Sequence, residues 1–216
     1  MTRPVPAARS MRHGHHLSPR TRRAYDMGMP AATNQKYWTP DDVWALPDDG
    51  NRYECIDGTL LVTPAPAPSH QFVVAELFGR IFAYVKGSGL GHALTSPADI
   101  RLEATNAVQP DIFVTPPAGG TAVITDWRAV SSLLLAVEVL SPGSARYDRG
   151  LKRRYYQQGK VAEYWIVDPE ARLIERWRPG QERPEVVSDV LSWHPDPASV
   201  PLEIDVARLF TDALGA

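Results

Sequence analysis

The segment Leu133-Leu134-Leu135-Ala136-Val137-Glu138-Val139-Leu140-Ser141-Pro142-Gly143 decides how the rest of the chain is read. Its Leu and Val residues show no polar alternation, which describes a strand covered on both faces and therefore inside a sheet. One carboxylate, Glu138, interrupts it. An isolated buried carboxylate is costly, so such groups pair, bind a metal or keep a proton. By the two-residue period of a strand, Leu134, Ala136, Glu138 and Leu140 share one face. Glu138 stands near the C-terminal end, just before Ser141-Pro142-Gly143 breaks the ladder. Open α/β sheets tend to present functional groups at such ends.

Working outward, Gln109–Thr115 reads as the preceding strand, with Asp111 directly after Pro110, a residue of strand starts, edges and bulges. If the two strands are neighbours, Asp111 and Glu138 converge at one end of the sheet. Two carboxylates that close repel, and one takes a proton unless a cation intervenes. Hard oxygen ligands of this kind suit Mg²⁺ or Mn²⁺. Lys152, about one turn into the polar helix predicted over Asp148–Gln158, can reach the same place. Two readings stay open at this point. Either the acids hold a metal, or Glu138 is half of a buried ion pair with Lys152 or Arg149 and Asp111 caps a turn.

The flanking segments frame that strand. Thr39-Pro40-Asp41-Asp42 is a helix start. RYECIDGTLLV (52–62) is a hairpin turning at Asp57-Gly58. Ser69 is expected to cap a helix that buries Phe72, Val73, Leu77, Ile81 and Val85 and ends at Gly87. Residues 98–103 alternate as a half-buried strand, and AEYWIVD and RLIERWR form two strands around Asp168-Pro169-Glu170-Ala171. A last short helix is predicted around Val206–Leu214. The order from Ser69 is helix, three strands, helix, strand: a mixed α/β core with a hairpin added at each end.

Composition narrows the function classes. The 216 residues carry a net charge of −2, but six arginines and one acid lie in residues 1–33, which leaves the body at −7. An acidic body argues against coating nucleic acid through the whole surface. The cluster Arg146, Arg149, Lys152, Arg153 and Arg154 stands out against it, either as a solvated face or as a phosphate-steering patch. Residues 1–33, rich in Arg, Pro, Ala and His, read as a disordered basic tail, with Met27 or Met29 as an alternative start; residues 34–216 read as a single domain. His13, His15 and His16 read as solvated. The single cysteine, Cys55, suits a reducing, cytoplasmic setting, and no apolar run approaches a membrane span. Phosphate-loop, zinc-finger and nucleophile-elbow patterns are absent.

The series RYECIDG, Ser69-His70, QPDI, VEVLSPG, DRGLKRRYYQQG and VAEYWIVDP resembles the Uma2 family of the PD-(D/E)XK nuclease superfamily, over roughly residues 36–180. The resemblance implies a restriction-endonuclease-like fold, a Mg²⁺ or Mn²⁺ site and cleavage of DNA phosphodiester bonds. Asp111 then matches the PD aspartate and Glu138 the acid of (D/E)XK, with the Val139 carbonyl as a further ligand. Glu54 matches a family glutamate and becomes a third carboxylate near the metal; His70, Asp148 and Tyr156 match recurrent positions without assigned chemistry. The chain departs from the pattern at Leu140, where the motif lysine belongs, and Lys152 matches a lysine displaced onto the helix. Arg146, Arg149 and Arg153 are candidates for contacting double-stranded DNA. A duplex cut on both strands suggests a homodimer. A non-catalytic DNA- or protein-binding module is the rival expectation, and a two-carboxylate glycosidase would leave Lys152 unexplained.

Overall fold

The computed structural model describes residues 36–117, 124–159, 161–197 and 199–216; the tail expected over residues 1–33 lies outside them. Pro40–Trp44 forms α1 at the expected helix start, and Thr39 and Asp42 close it with a reciprocal capping box. Strands β1 (Arg52–Ile56) and β2 (Thr59–Thr63) make an antiparallel hairpin turning at Asp57 and Gly58, both with positive φ. The long helix α2 (Pro68–Ser88) follows. Its start differs from expectation: Pro68 takes the first helical position, Ala67 precedes it and Ser69 lies inside. Phe72 is 62% exposed, and Val74 takes its place on the buried face. The helix ends two residues later than expected, at left-handed Gly89 rather than Gly87.

The main sheet has six strands in the order β3 (His92–Thr95), β4 (Ile112–Thr115), β5 (Leu133–Val139), β6 (Val161–Asp168), β7 (Leu173–Trp177) and β8 (Glu185–Val187). The LLLAVEV strand is β5, interior as its composition requires, antiparallel to β4 and parallel to β6. A parallel step needs a crossover. It is built from α3 (Ala145–Tyr147), a π-helical turn (Asp148–Lys152) and α4 (Arg153–Gln158). Two further strands, β9 (Val190–Trp193) and β10 (Leu202–Asp205), pair apart from the sheet and lead into α5 (Val206–Leu214).

One expected strand fails. Residues 98–103 alternate but meet a partner only at the bridge Ile100–Val108, so they run as an irregular segment, and β3 supplies the third strand. Alternation reports one buried face, which a loop pinned on a sheet also has. The C-terminal hairpin differs too: AEYWIVD and RLIERWR are β6 and β7 of the main sheet, and the separate pair is β9–β10.

Each face of the sheet has its own core. On one, α2 and α5 cover Leu135, Val137 and Val139, together with Trp165 and Trp193. On the other, Ala136, Leu140, Phe113 and Ile166 meet Ile56 and Leu61 of the hairpin, Ile100, Val108, Tyr155 and Tyr156. Leu134 packs with the first group, so the alternation of β5 is regular only from Leu135 onward. Each fully buried aliphatic or aromatic side chain contributes roughly 1.5–3 kcal/mol relative to exposure. Glu138 projects into the second layer.

Candidate active site

Register sets the first pair of acids. Ile112 faces Val137 in the β4–β5 ladder, so Asp111, one residue further out, lies across from Glu138. The Val139 N–H donates to Asp111 Oδ2 at 2.9 Å, closing that end of the ladder through a side chain. The Pro110 nitrogen cannot donate, consistent with a strand that begins only after it. Asp111 also accepts from Arg52 Nη1 at 2.8 Å and from His70 Nε2 at 3.1 Å.

The hairpin supplies the next group. Reciprocal hydrogen bonds of 2.9 Å between Cys55 and Ala107 fasten β1 to the segment before β4. They turn Glu54 inward, fully buried, where its Oε1 accepts the Gln109 N–H at 2.7 Å. Although it lies in a short hairpin, Glu54 does not face solvent. The crossover completes the site: Lys152 Nζ stands 2.8 Å from Glu54 Oε2, 2.9 Å from Glu138 Oε1 and 3.7 Å from Asp148 Oδ1. Tyr156 Oη donates to Glu138 Oε1 at 3.2 Å.

The structure thus brings together Asp111, Glu138, Glu54, Lys152, His70, Asp148 and Tyr156, all buried. It adds Arg52, which the sequence reading did not single out. The signal was available: Arg52 and Glu54 stand two apart on β1 and so share a face. The arginines of the crossover fare differently. Arg149 bonds Glu175 and Asp168, and Arg153 stacks over Trp177 and bonds Gln157. Only Arg146 and Arg154 of that group are exposed without a contact recorded among the described residues. Tyr155, Tyr156, Trp165 and Trp177 are core residues.

Charge makes the site unusual. Four carboxyls (Glu54, Asp111, Glu138, Asp148) share a buried volume with two obligate cations, Arg52 and Lys152. Burial pushes Glu138 well above the usual carboxylate range; Lys152 opposes this, while Asp111, Asp148 and Glu54 add to it. Burial also raises Asp148, offset in part by Lys152 and Ser144. Burial works against Asp111 as well, but the bond from His70 and the Arg52 guanidinium outweigh it and hold that carboxyl at about 2. Lys152 is desolvated, yet its carboxylate neighbours raise its pKa, so it stays an ammonium.

The donor chemistry fits a hard dication. Two carboxyls at one sheet end carry oxygen donors, and four buried carboxyls face only two obligate cations. No three His, Cys, Asp or Glu side chains among the described residues already converge as a metal cage. A cleft of about 880 Å³ opens onto Asp111, Arg52 and His70 and is rimmed by Ser141–Ser144 and the Pro64–Ala67 loop. Glu138 and Lys152 do not line that cleft.

A mixed sheet flanked by helices, with buried acids gathered at the end of its interior strands, defines a nuclease-like α/β protein of the restriction-endonuclease-like class. The model of the Uma2 family, described as "Putative restriction endonuclease", matches residues 40–207, and the chain belongs to that family. Among solved structures it is similar to one from Anabaena variabilis ATCC 29413, described as "a putative nuclease belonging to DUF820". The TM-score is 0.63 at 20% identity, covering 82% of this chain and 99% of that one. Comparison with curated proteins finds no match. No described helix is long and apolar enough to cross a membrane.

Proposed function

We propose that the chain is a Mg²⁺- or Mn²⁺-dependent endonuclease that hydrolyses DNA phosphodiester bonds, double-stranded DNA being its substrate. The observation that carries this reading is the pairing of Asp111 and Glu138 across the β4–β5 end, with Asp111 opening onto a cleft of about 880 Å³. Asp111, Glu138 and the Val139 carbonyl would hold the ion. Bound there, it would lower the pKa of a water and offset charge on the phosphate. Glu54 enters through Lys152, which it fixes at 2.8 Å. The Lys152 ammonium would then orient the attacking water or face the phosphate oxygens. His70 and Arg52 hold Asp111 ionised, as a ligand must be. Arg146, exposed and not engaged by a carboxylate among the described residues, is a candidate for a phosphate contact, and a homodimer would supply one centre per strand.

A second reading has an observation of its own. Lys152 already contacts Glu138, and Leu140 stands where the motif lysine belongs. On that reading the protein is a non-catalytic DNA- or protein-binding module, and the ion pair is simply structural. Thermal unfolding with Mn²⁺ separates the two. A ligand that binds only the folded state stabilises by about 2.7 kcal/mol at a hundredfold excess over its Kd. The nuclease reading expects wild type to shift, Glu138→Gln not to shift, and metal-dependent nicking of plasmid by wild type alone. No shift in wild type, with Glu138→Gln destabilised in the absence of metal, favours the module.

A further inference from the structure

Asp148 is buried to 1% exposure, and neither of its carboxylate oxygens meets a donor in hydrogen-bonding geometry. An acid kept this way calls for an explanation, because desolvating it without compensation is costly. Its surroundings are built with care. Its backbone carbonyl accepts from Tyr164 Oη at 3.2 Å and from the Arg153 N–H that closes the π-helical turn. The backbone is therefore pinned, while the carboxylate has only the Ser144 side chain and a Lys152 ammonium at long range to offset its burial. Single π turns inside helices occur frequently at functional sites. The cation nearest to hand is Lys152, on the same turn, with Nζ 3.7 Å from Asp148 Oδ1.

We infer that Asp148 is a positioning residue: the alternative partner that receives the Lys152 ammonium when Glu138 is committed to a metal ion. The inference rests on the metal-dependent reading above. Lys152 is held by Glu54 at 2.8 Å and by Glu138 at 2.9 Å. A Glu138 that carries a dication is no longer a favourable neighbour for an ammonium, since the two cations repel. Glu54 cannot follow the lysine, because its other oxygen is fixed on the Gln109 N–H. Moving about 1 Å toward Asp148 restores a second carboxylate to Lys152 and is within reach of its flexible four-carbon stem. Asp148 thus stands at long ion-pair range in one state and in direct contact in the other, and the lysine keeps two close carboxylates throughout.

The test uses the full chain, with MnCl₂ titrated by calorimetry and the metal-free protein followed by thermal unfolding. Asp148→Asn keeps the shape and removes the charge. The expected result is metal-free stability equal to or above wild type, with Mn²⁺ affinity about ten- to a hundredfold weaker, the range of a lost charge-assisted bond. In the Lys152→Met background the same substitution should leave Mn²⁺ affinity unchanged, because the ammonium it serves is gone. Unchanged affinity in Asp148→Asn alone overturns the inference while the metal site stands. So does a fall in affinity accompanied by a matching loss of metal-free stability, which marks Asp148 as merely structural. Absence of Mn²⁺ binding by wild type overturns the metal-dependent reading and this inference with it.

Discussion

Replacing Lys152 with Met strips the shared cation from Glu54 Oε2 and Glu138 Oε1 in a volume closed to solvent. Breaking one side of a buried ion pair typically costs about 3–5 kcal/mol, and urea unfolding of Lys152→Met should show a loss in that range. Adding Glu138→Gln should recover part of it, since one uncompensated charge is then gone. Asp111 predicts an acid dependence. Its folded carboxyl sits at about 2, below an unfolded aspartate near 4, so its contribution is complete above about pH 4 and vanishes as pH falls through 2. Asp111→Asn should cost on the order of 2 kcal/mol at neutral pH, and its unfolding free energy should be flatter than that of wild type between pH 4 and 2. Glu138 was legible in the sequence because a lone acid in an apolar strand contradicts its surroundings. Arg52 and the burial of Glu54 were not, because a short hairpin reads as solvent-facing until one knows what it docks against. The Cys55–Ala107 bonds that decide this join positions 52 residues apart.

At the scale of elements, strand β5 was legible from its unbroken apolar run before Ser141-Pro142-Gly143, and helix α2 from its buried Val73, Leu77, Ile81 and Val85 at helical spacing. The four residues of β3 could not: His92-Ala93-Leu94-Thr95 is too short to carry a period, and residues 98–103 imitate a strand better. What fixes β3 is tertiary, and Gly91 is part of it. Its φ is +129°, and an added Cβ would run into the Thr115 carbonyl of the neighbouring β4, backbone that cannot turn aside. Gly91→Ala should therefore lower stability by more than about 1 kcal/mol, with amide exchange accelerated in β3 and little changed in β6. The π-helical turn is equally invisible in sequence, because Asp148–Lys152 would suit an ordinary helix; Tyr164 of β6 bonds its Asp148 carbonyl.

Over the whole molecule, the candidate site draws on β1, the first turn of α2, the residue before β4, the end of β5 and the crossover, so none of these alone retains it. That arrangement explains why order and spacing of the family segments were enough to place the acids in one fold, while the contacts among them waited for the docking of the hairpin. Cys55 sits at that junction, the chain's single thiol, with no solvent exposure and a raised pKa from burial. A thiol in that position is a clock. An aromatic disulfide reagent should modify the native protein only as fast as the β1–β2 hairpin lifts from the Ala107 segment, and rapidly in urea. Because Glu54 is the adjacent residue, the labelling rate counts how often the Lys152 cage is opened, and Mn²⁺ should slow it only to the extent that the ion holds the hairpin shut.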